Sequence, residues 1–181
     1  GSVLTAGFVN HYNATGEAAL EAVKLLSGGR QRPIQEDEFC FTATLISETK
    51  DSYNTTGKTM EGDTPVNGTG SAAVAFEKIQ FDQDDAGKRF VYRIEEVSGS
   101  DQDIRYSAET YYAVIQVENN GRKVDGIECL DTEITYYKDE PLTTDITNAI
   151  TSDQVIFSNE YDPIVPGSAE ASIEVTKQLV N

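Results

Sequence analysis

The tightest constraint on this 181-residue chain is an apolar period of two. Glu38-Phe39-Cys40-Phe41-Thr42-Ala43-Thr44-Leu45 sets Phe39, Phe41, Ala43 and Leu45 on one face, and Phe90-Val91-Tyr92-Arg93-Ile94-Glu95-Glu96-Val97 alternates in the same way. Successive side chains of a strand point to opposite faces, so such runs read as half-buried strands. Ala73 to Phe81 adds inward Val74, Phe76, Ile79 and Phe81, and Tyr111 to Glu118, Val124 to Tyr137 and Gln154 to Tyr161 complete the set. Asn120-Gly121 separates two of these runs, and both residues accept the positive φ of a two-residue hairpin turn. Short strands punctuated by polar turns predict an all-β, antiparallel sandwich.

Three segments depart from this pattern. Glu48 to Gly70 is rich in Thr, Gly, Asn and Asp and reads as a long exposed polar loop. Pro141 to Ser152 carries Leu142, Ile146 and Ile150 at four-residue spacing, which predicts one or two helical turns. Between Ala14 and Leu26 the local propensity of Glu17-Ala18-Ala19-Leu20-Glu21-Ala22 favours a helix, and only a longer-range pattern, described below, argues for a strand there.

Charge removes whole classes of function. Against 31 Asp and Glu stand 14 Lys and Arg, a formal charge of -17. Nucleic acid recognition needs clustered cations that displace counterions, so nucleic acid is excluded as a partner, and an anionic membrane surface is disfavoured. No run approaches the roughly 20 apolar residues of a membrane span, so no membrane insertion of this segment is expected. Cys40 and Cys129 lie far apart, with no CxxC and no His at zinc spacing, which predicts no metal site, while their even number permits a disulfide. Asp82-Gln83-Asp84-Asp85-Ala86-Gly87 begins like a calcium loop but lacks the distal bidentate acid, and reads as an exposed acidic turn. His11, the single His, has no Ser or Cys constellation around it that would suggest a hydrolytic triad.

The ends of the chain echo one another. Val175-Thr176-Lys177-Gln178-Leu179 repeats the spacing of Ala22-Val23-Lys24-Leu25-Leu26, and Phe157-Ser158-Asn159-Glu160-Tyr161 repeats that of Phe8-Val9-Asn10-His11-Tyr12. Between the later pair lies a spacer holding Pro163, Pro166 and Gly167, the composition of an interdomain linker. Registration of this kind points to a tandem array. The expected organisation is the tail of a preceding module over 1–13, one complete module over 14–163, and a linker with the first strand of a following module over 164–181.

Several of these pieces, taken in order, resemble a known family. Ala22-Val23-Lys24-Leu25-Leu26, Gly29-Arg30, Glu38-Phe39-Cys40-Phe41, Val74-Ala75-Phe76, Gly87 through Phe90, Tyr92, Ile94 and Glu96, Ile104-Arg105-Tyr106, Tyr112-Ala113-Val114-Ile115-Gln116-Val117 and Phe157 through Tyr161 are similar to the isopeptide-linkage repeat domains of Gram-positive pilins and adhesin stalks, including the streptococcal FctA-like pilins. The resemblance covers about residues 20 to 163, with Ala22 in place of the usual branched residue. It implies an inverse immunoglobulin-like sandwich of the CnaB type. It also implies a covalent bond from Lys24 on the first strand to Asn159 on the last, formed with the help of Glu96.

Those residue types suit the chemistry. An amine is nucleophilic only when neutral, and an apolar pocket penalises the ammonium form. In the implied path Lys24 attacks the Asn159 carboxamide while Glu96 acts as an acid, donating a hydrogen bond to the carbonyl oxygen and shuttling protons as ammonia leaves. Alternation selects Glu96 over Glu95, since Glu96 shares a face with Tyr92 and Ile94. No cofactor or external enzyme is needed, and the domain is its own single-turnover substrate rather than an enzyme. The expected function is a structural stalk or backbone module of an extracellular, cell-wall-anchored adhesin or pilus, with adjacent modules of the same polypeptide as partners. The competing reading is a β-sandwich that binds a carbohydrate or host-protein surface ligand through exposed tyrosines.

Overall fold

A computed structural model describes residues 1–3, 7, 13–141 and 147–164. Wherever the sequence alternates, the chain is extended. The strands are β1 (Gly16–Ala18), β2 (Glu21–Ser27), β3 (Cys40–Leu45), β4 (Thr55–Thr59), β5 (Gly70–Phe76), β6 (Ile79–Phe81) and β7 (Arg89–Val97) in the first half. They continue with β8 (Ile104–Arg105), β9 (Thr110–Glu118), β10 (Lys123–Val124), β11 (Ile127–Glu128), β12 (Asp131–Tyr137), β13 (Ala149–Ile150) and β14 (Ile156–Tyr161). Ten of them form one sheet in the order β13-β12-β9-β7-β3-β4-β5-β2-β14-β8, which curls into an immunoglobulin-like sandwich. β1 pairs with β6 and β10 with β11 in two small ribbons.

The layers meet through aromatic rings. Phe157 on β14 lies 5.1 Å from Phe41 on β3 and 5.2 Å from Tyr111 on β9, centroid to centroid. The inward residues expected from alternation, among them Phe39, Phe41, Ala43, Val74, Phe76, Ile79, Phe81, Phe90, Tyr92 and Ile94, are all in this core. Val91 breaks the pattern because the outer face of its layer carries a second small cluster with Val114 and Tyr137.

Five expectations need correction. The sandwich is not wholly antiparallel: β2 and β14 run parallel, with Phe157 opposite Lys24 and Asn159 opposite Leu26. A parallel pair requires a crossover, and here nearly the whole module is the crossover, which brings its first and last long strands side by side.

The helix favoured by propensity between Ala14 and Leu26 is absent. Ala18, Leu20, Ala22, Lys24 and Leu26 are buried while Glu17, Ala19 and Glu21 are exposed, the period of a strand, and pairing with β5 and β14 outweighs a preference of a few tenths of a kcal/mol per residue.

The polar stretch Glu48 to Gly70 is only in part a loop, because β4 sits within it between β3 and β5. Buried Thr55 donates its hydroxyl to Glu77 O at 2.7 Å, and buried Thr59 donates to Gln35 O at 3.0 Å and accepts from Phe39 N at 3.2 Å. With those hydroxyls satisfied, β-branched threonines fill an interior strand at no polar cost.

Asn120-Gly121 does not close the hairpin. β9 and β12 pair with Glu118 opposite Asp131, and the intervening tip turns at Asp125 and Gly126, whose φ values of 51° and 78° suit a type I′ turn between β10 and β11. Finally, Ile150, the last of the three residues whose spacing suggested helical turns, lies with Ala149 in a strand against β12, followed by a single 3-10 turn over Ser152–Gln154. Leu142 and Ile146 lie outside the described residues, as do Asn10, His11, Lys177 and the echoing C-terminal strand. No helix among the described residues is long and apolar enough to cross a membrane.

Candidate functional site

β2 presents Ala22, Lys24 and Leu26 to the core, so a lysine occupies a position whose neighbours along the strand are apolar. β14 does the same with Phe157 and Asn159, and β7, in the facing layer, with Ile94 and Glu96. The relative exposures of Lys24, Glu96 and Asn159 are 0%, 9% and 2%. Three strands distant in sequence therefore deliver an amine, a carboxyl group and a carboxamide to one interior point. Glu95, the alternative acid, points outward and pairs with Arg93 at 3.2 Å.

The three groups touch. Lys24 Nζ donates to Glu96 Oε1 at 2.7 Å, and Asn159 Nδ2 donates to the same oxygen at 2.9 Å. Lys24 Nζ also stands 4.6 Å from the centroid of the Phe39 ring. Burial lowers the Lys24 amine from its ordinary 10.5 to about 8, although the hydrogen bond and charge of Glu96 pull the other way. An amine so displaced is neutral far more often near physiological pH than a surface lysine, which is what nucleophilic attack requires.

The hydrogen bond to the Asn159 carbonyl oxygen, expected from Glu96, comes from elsewhere. Asn159 Oδ1 accepts from the backbone N–H of Ser107 at 2.7 Å, and the same N–H lies 3.2 Å from Glu96 Oε2. Glu96 faces the amide nitrogen instead. Ser107 was not among the sequence candidates because its contribution is a main-chain group, which no side-chain pattern marks.

The remaining candidates settle into structural places. Asp85, expected on an exposed turn, is fully buried. It accepts from Lys50 Nζ at 2.7 Å, from the Tyr53 hydroxyl and from Asp82 N at 3.0 Å. Burial pushes the Asp85 carboxyl up, but these hydrogen bonds outweigh it and hold the group below its ordinary value. Among the described residues no group of three His, Cys, Asp or Glu is arranged to hold a metal ion. Cys40 and Cys129 are both free. Of the eight described tyrosines, Tyr92, Tyr111, Tyr136 and Tyr137 are buried, and Tyr53, Tyr106, Tyr112 and Tyr161 are half-buried, which leaves no exposed aromatic platform among them.

Compared with known proteins, the chain matches the family model FctA, described as the Spy0128-like isopeptide containing domain, over residues 20–162. No curated protein matches it. The matched span starts just before β2 and ends just after β14, so it contains all three members of the buried cluster. With more than half of its length covered by that model, the chain belongs to the FctA family of Spy0128-like isopeptide-containing domains.

Proposed function

We propose that this domain is a stalk or backbone module of a cell-wall-anchored surface adhesin or pilus, made durable by an autocatalytic isopeptide bond between Lys24 and Asn159. The observation that carries this reading is the single oxygen, Glu96 Oε1, within hydrogen-bond reach of both the nucleophilic nitrogen and the departing one. The neutral Lys24 amine attacks Asn159 Cγ, and the carbonyl electron pair moves to Oδ1. Glu96 Oε1 takes a proton from Nζ and passes it to Nδ2, the Cγ–Nδ2 bond breaks, and ammonia leaves as the carbonyl reforms. One amine and one carboxamide give one amide and one ammonia, and Glu96 ends as it began.

Folding supplies the catalysis, because it holds the reactants together in a dry interior, an arrangement worth roughly 7–11 kcal/mol of barrier in well-oriented systems. The reaction turns over once, so the domain is not an enzyme in the usual sense. Because β2 and β14 are parallel neighbours, tension that enters by the first and leaves by the last crosses the new bond and bypasses the rest of the sandwich. That suits a module over 14–163 strung between a preceding one and a following one.

Intact mass tests the proposal. The native protein should be one ammonia lighter than its sequence requires, and Glu96→Ala should keep the full mass. A native preparation at full mass sinks it.

A further inference from the structure

We propose that the backbone N–H of Ser107 is the oxyanion donor of this reaction, a role distinct from the proton relay of Glu96; the inference rests on the isopeptide reading. When Nζ attacks, negative charge collects on Asn159 Oδ1, and catalysis profits most from donors already aimed at that oxygen. Ser107 N–H stands 2.7 Å from it. A peptide N–H can only donate, so it also fixes the carboxamide with its oxygen toward Ser107 and its nitrogen toward Glu96. The nucleophile, the relay and the oxyanion donor then act on three different sides of one carboxamide.

The segment that carries Ser107 is built to hold it there. β8 clips onto β14, with Arg105 opposite Glu160 and Ile104 opposite Tyr161, and Asp162 N donates to Asp103 O at 2.8 Å. Between β8 and β9 the chain leaves the ladder and passes over Asn159 as a strap. Tyr106 anchors the strap by packing edge-on against Phe39, the ring that lies under Lys24 Nζ. Gly99 makes room for that anchor, since a Cβ there would fall 2.3 Å from the Tyr106 hydroxyl. The Ser107 hydroxyl is turned to its own backbone, accepting from Glu109 N at 3.2 Å, so the side chain is not the reacting group. Beside the strap lies a cleft of about 590 Å3, walled in part by Ser107, Tyr111 and Asn159.

The test removes one hydrogen. Replacing residue 107 by the α-hydroxy analogue of alanine turns its peptide bond into an ester and deletes the N–H, whereas Ser107→Ala keeps it. Both proteins are refolded beside the wild type, and loss of ammonia is followed by time-resolved intact mass. The ester should react roughly 10²–10³-fold more slowly than Ser107→Ala, which carries the same side chain and keeps the N–H; that factor is the usual cost of one oxyanion donor. A folded ester protein that reacts as fast as Ser107→Ala overturns the assignment and leaves the isopeptide reading standing; a wild type that never loses ammonia removes both. Should the ester protein not fold, the linked wild type decides by NMR. A through-hydrogen-bond coupling between Ser107 15N and residue 159 13Cγ is expected, and its absence together with rapid exchange of the Ser107 amide overturns the proposal.

Discussion

Substituting Lys24 by Ala should turn a nearly inextensible module into one that unravels in a single long step. Lys24 and Asn159 are 135 positions apart. An extended chain spans about 3.3–3.6 Å per residue, so freeing that loop releases about 450–490 Å. Their separation in the fold is negligible beside this, because Asn159 lies opposite Leu26 on an adjacent strand, about 5 Å away. With the bond in place, only Gly16 to Lys24 and Asn159 to Tyr161 can be drawn out of the described sandwich, about 35 Å in all. Single-molecule pulling from both ends reads the difference directly. The wild type should show no step beyond a few tens of ångströms, and Lys24→Ala the long one. Equal long steps in both proteins would refute the cross-link and the force path built on it.

Three further outcomes are expected. A cross-link closing a loop of this size is worth about 5 kcal/mol in the chain-entropy treatment, and at about 2–4 °C per kcal/mol for a domain of this length, Asn159→Ala should melt about 10–20 °C below the wild type by calorimetry. Bond formation after refolding should accelerate about tenfold per pH unit below pH 8 and level off above it, because burial holds the Lys24 amine at about 8 and only its neutral form attacks. A rate that is flat or falls over pH 6–9 would instead require the proton to stay on the pair. Gly57→Val should destabilise the fold by about 1–3 kcal/mol in urea titration, since a Cβ at that position in β4 would lie 2.8 Å from the Phe76 ring; an unchanged midpoint would remove β4 from the packed sheet.

The candidate triad was legible because each member breaks a local rule in the same direction: a lysine, an acid and an amide on apolar strand faces, where each would otherwise lack a partner. Its reach across the layers was implied by the family pattern and not by any spacing. β4 was hidden because Thr55, Gly57 and Thr59 look like loop residues until their hydroxyls find Glu77 O, Gln35 O and Phe39 N. The hairpin tip was misplaced because two dipeptides, Asn120-Gly121 and Asp125-Gly126, carry the same turn signal, and the pairing of Val124 with Ile127 chose between them. Asp85 looked solvated because nothing nearby in sequence reveals that Lys50 and Tyr53 fold back over it. Ser107 was invisible for a different reason: any residue but proline would supply the same N–H, and only the path of the strap gives it a task.

The charge of -17 now accompanies a family of pilin-type structural modules. Among the described residues Lys24 is the one buried lysine, withdrawn altogether from an exterior on which acids predominate.

The most direct test is peptide mapping of the native protein by tandem mass spectrometry. A Lys24–Asn159 bond predicts a branched species joining the fragment that contains Lys24 to the one that contains Asn159, one ammonia lighter than their sum. Two separate linear fragments at full mass would contradict it.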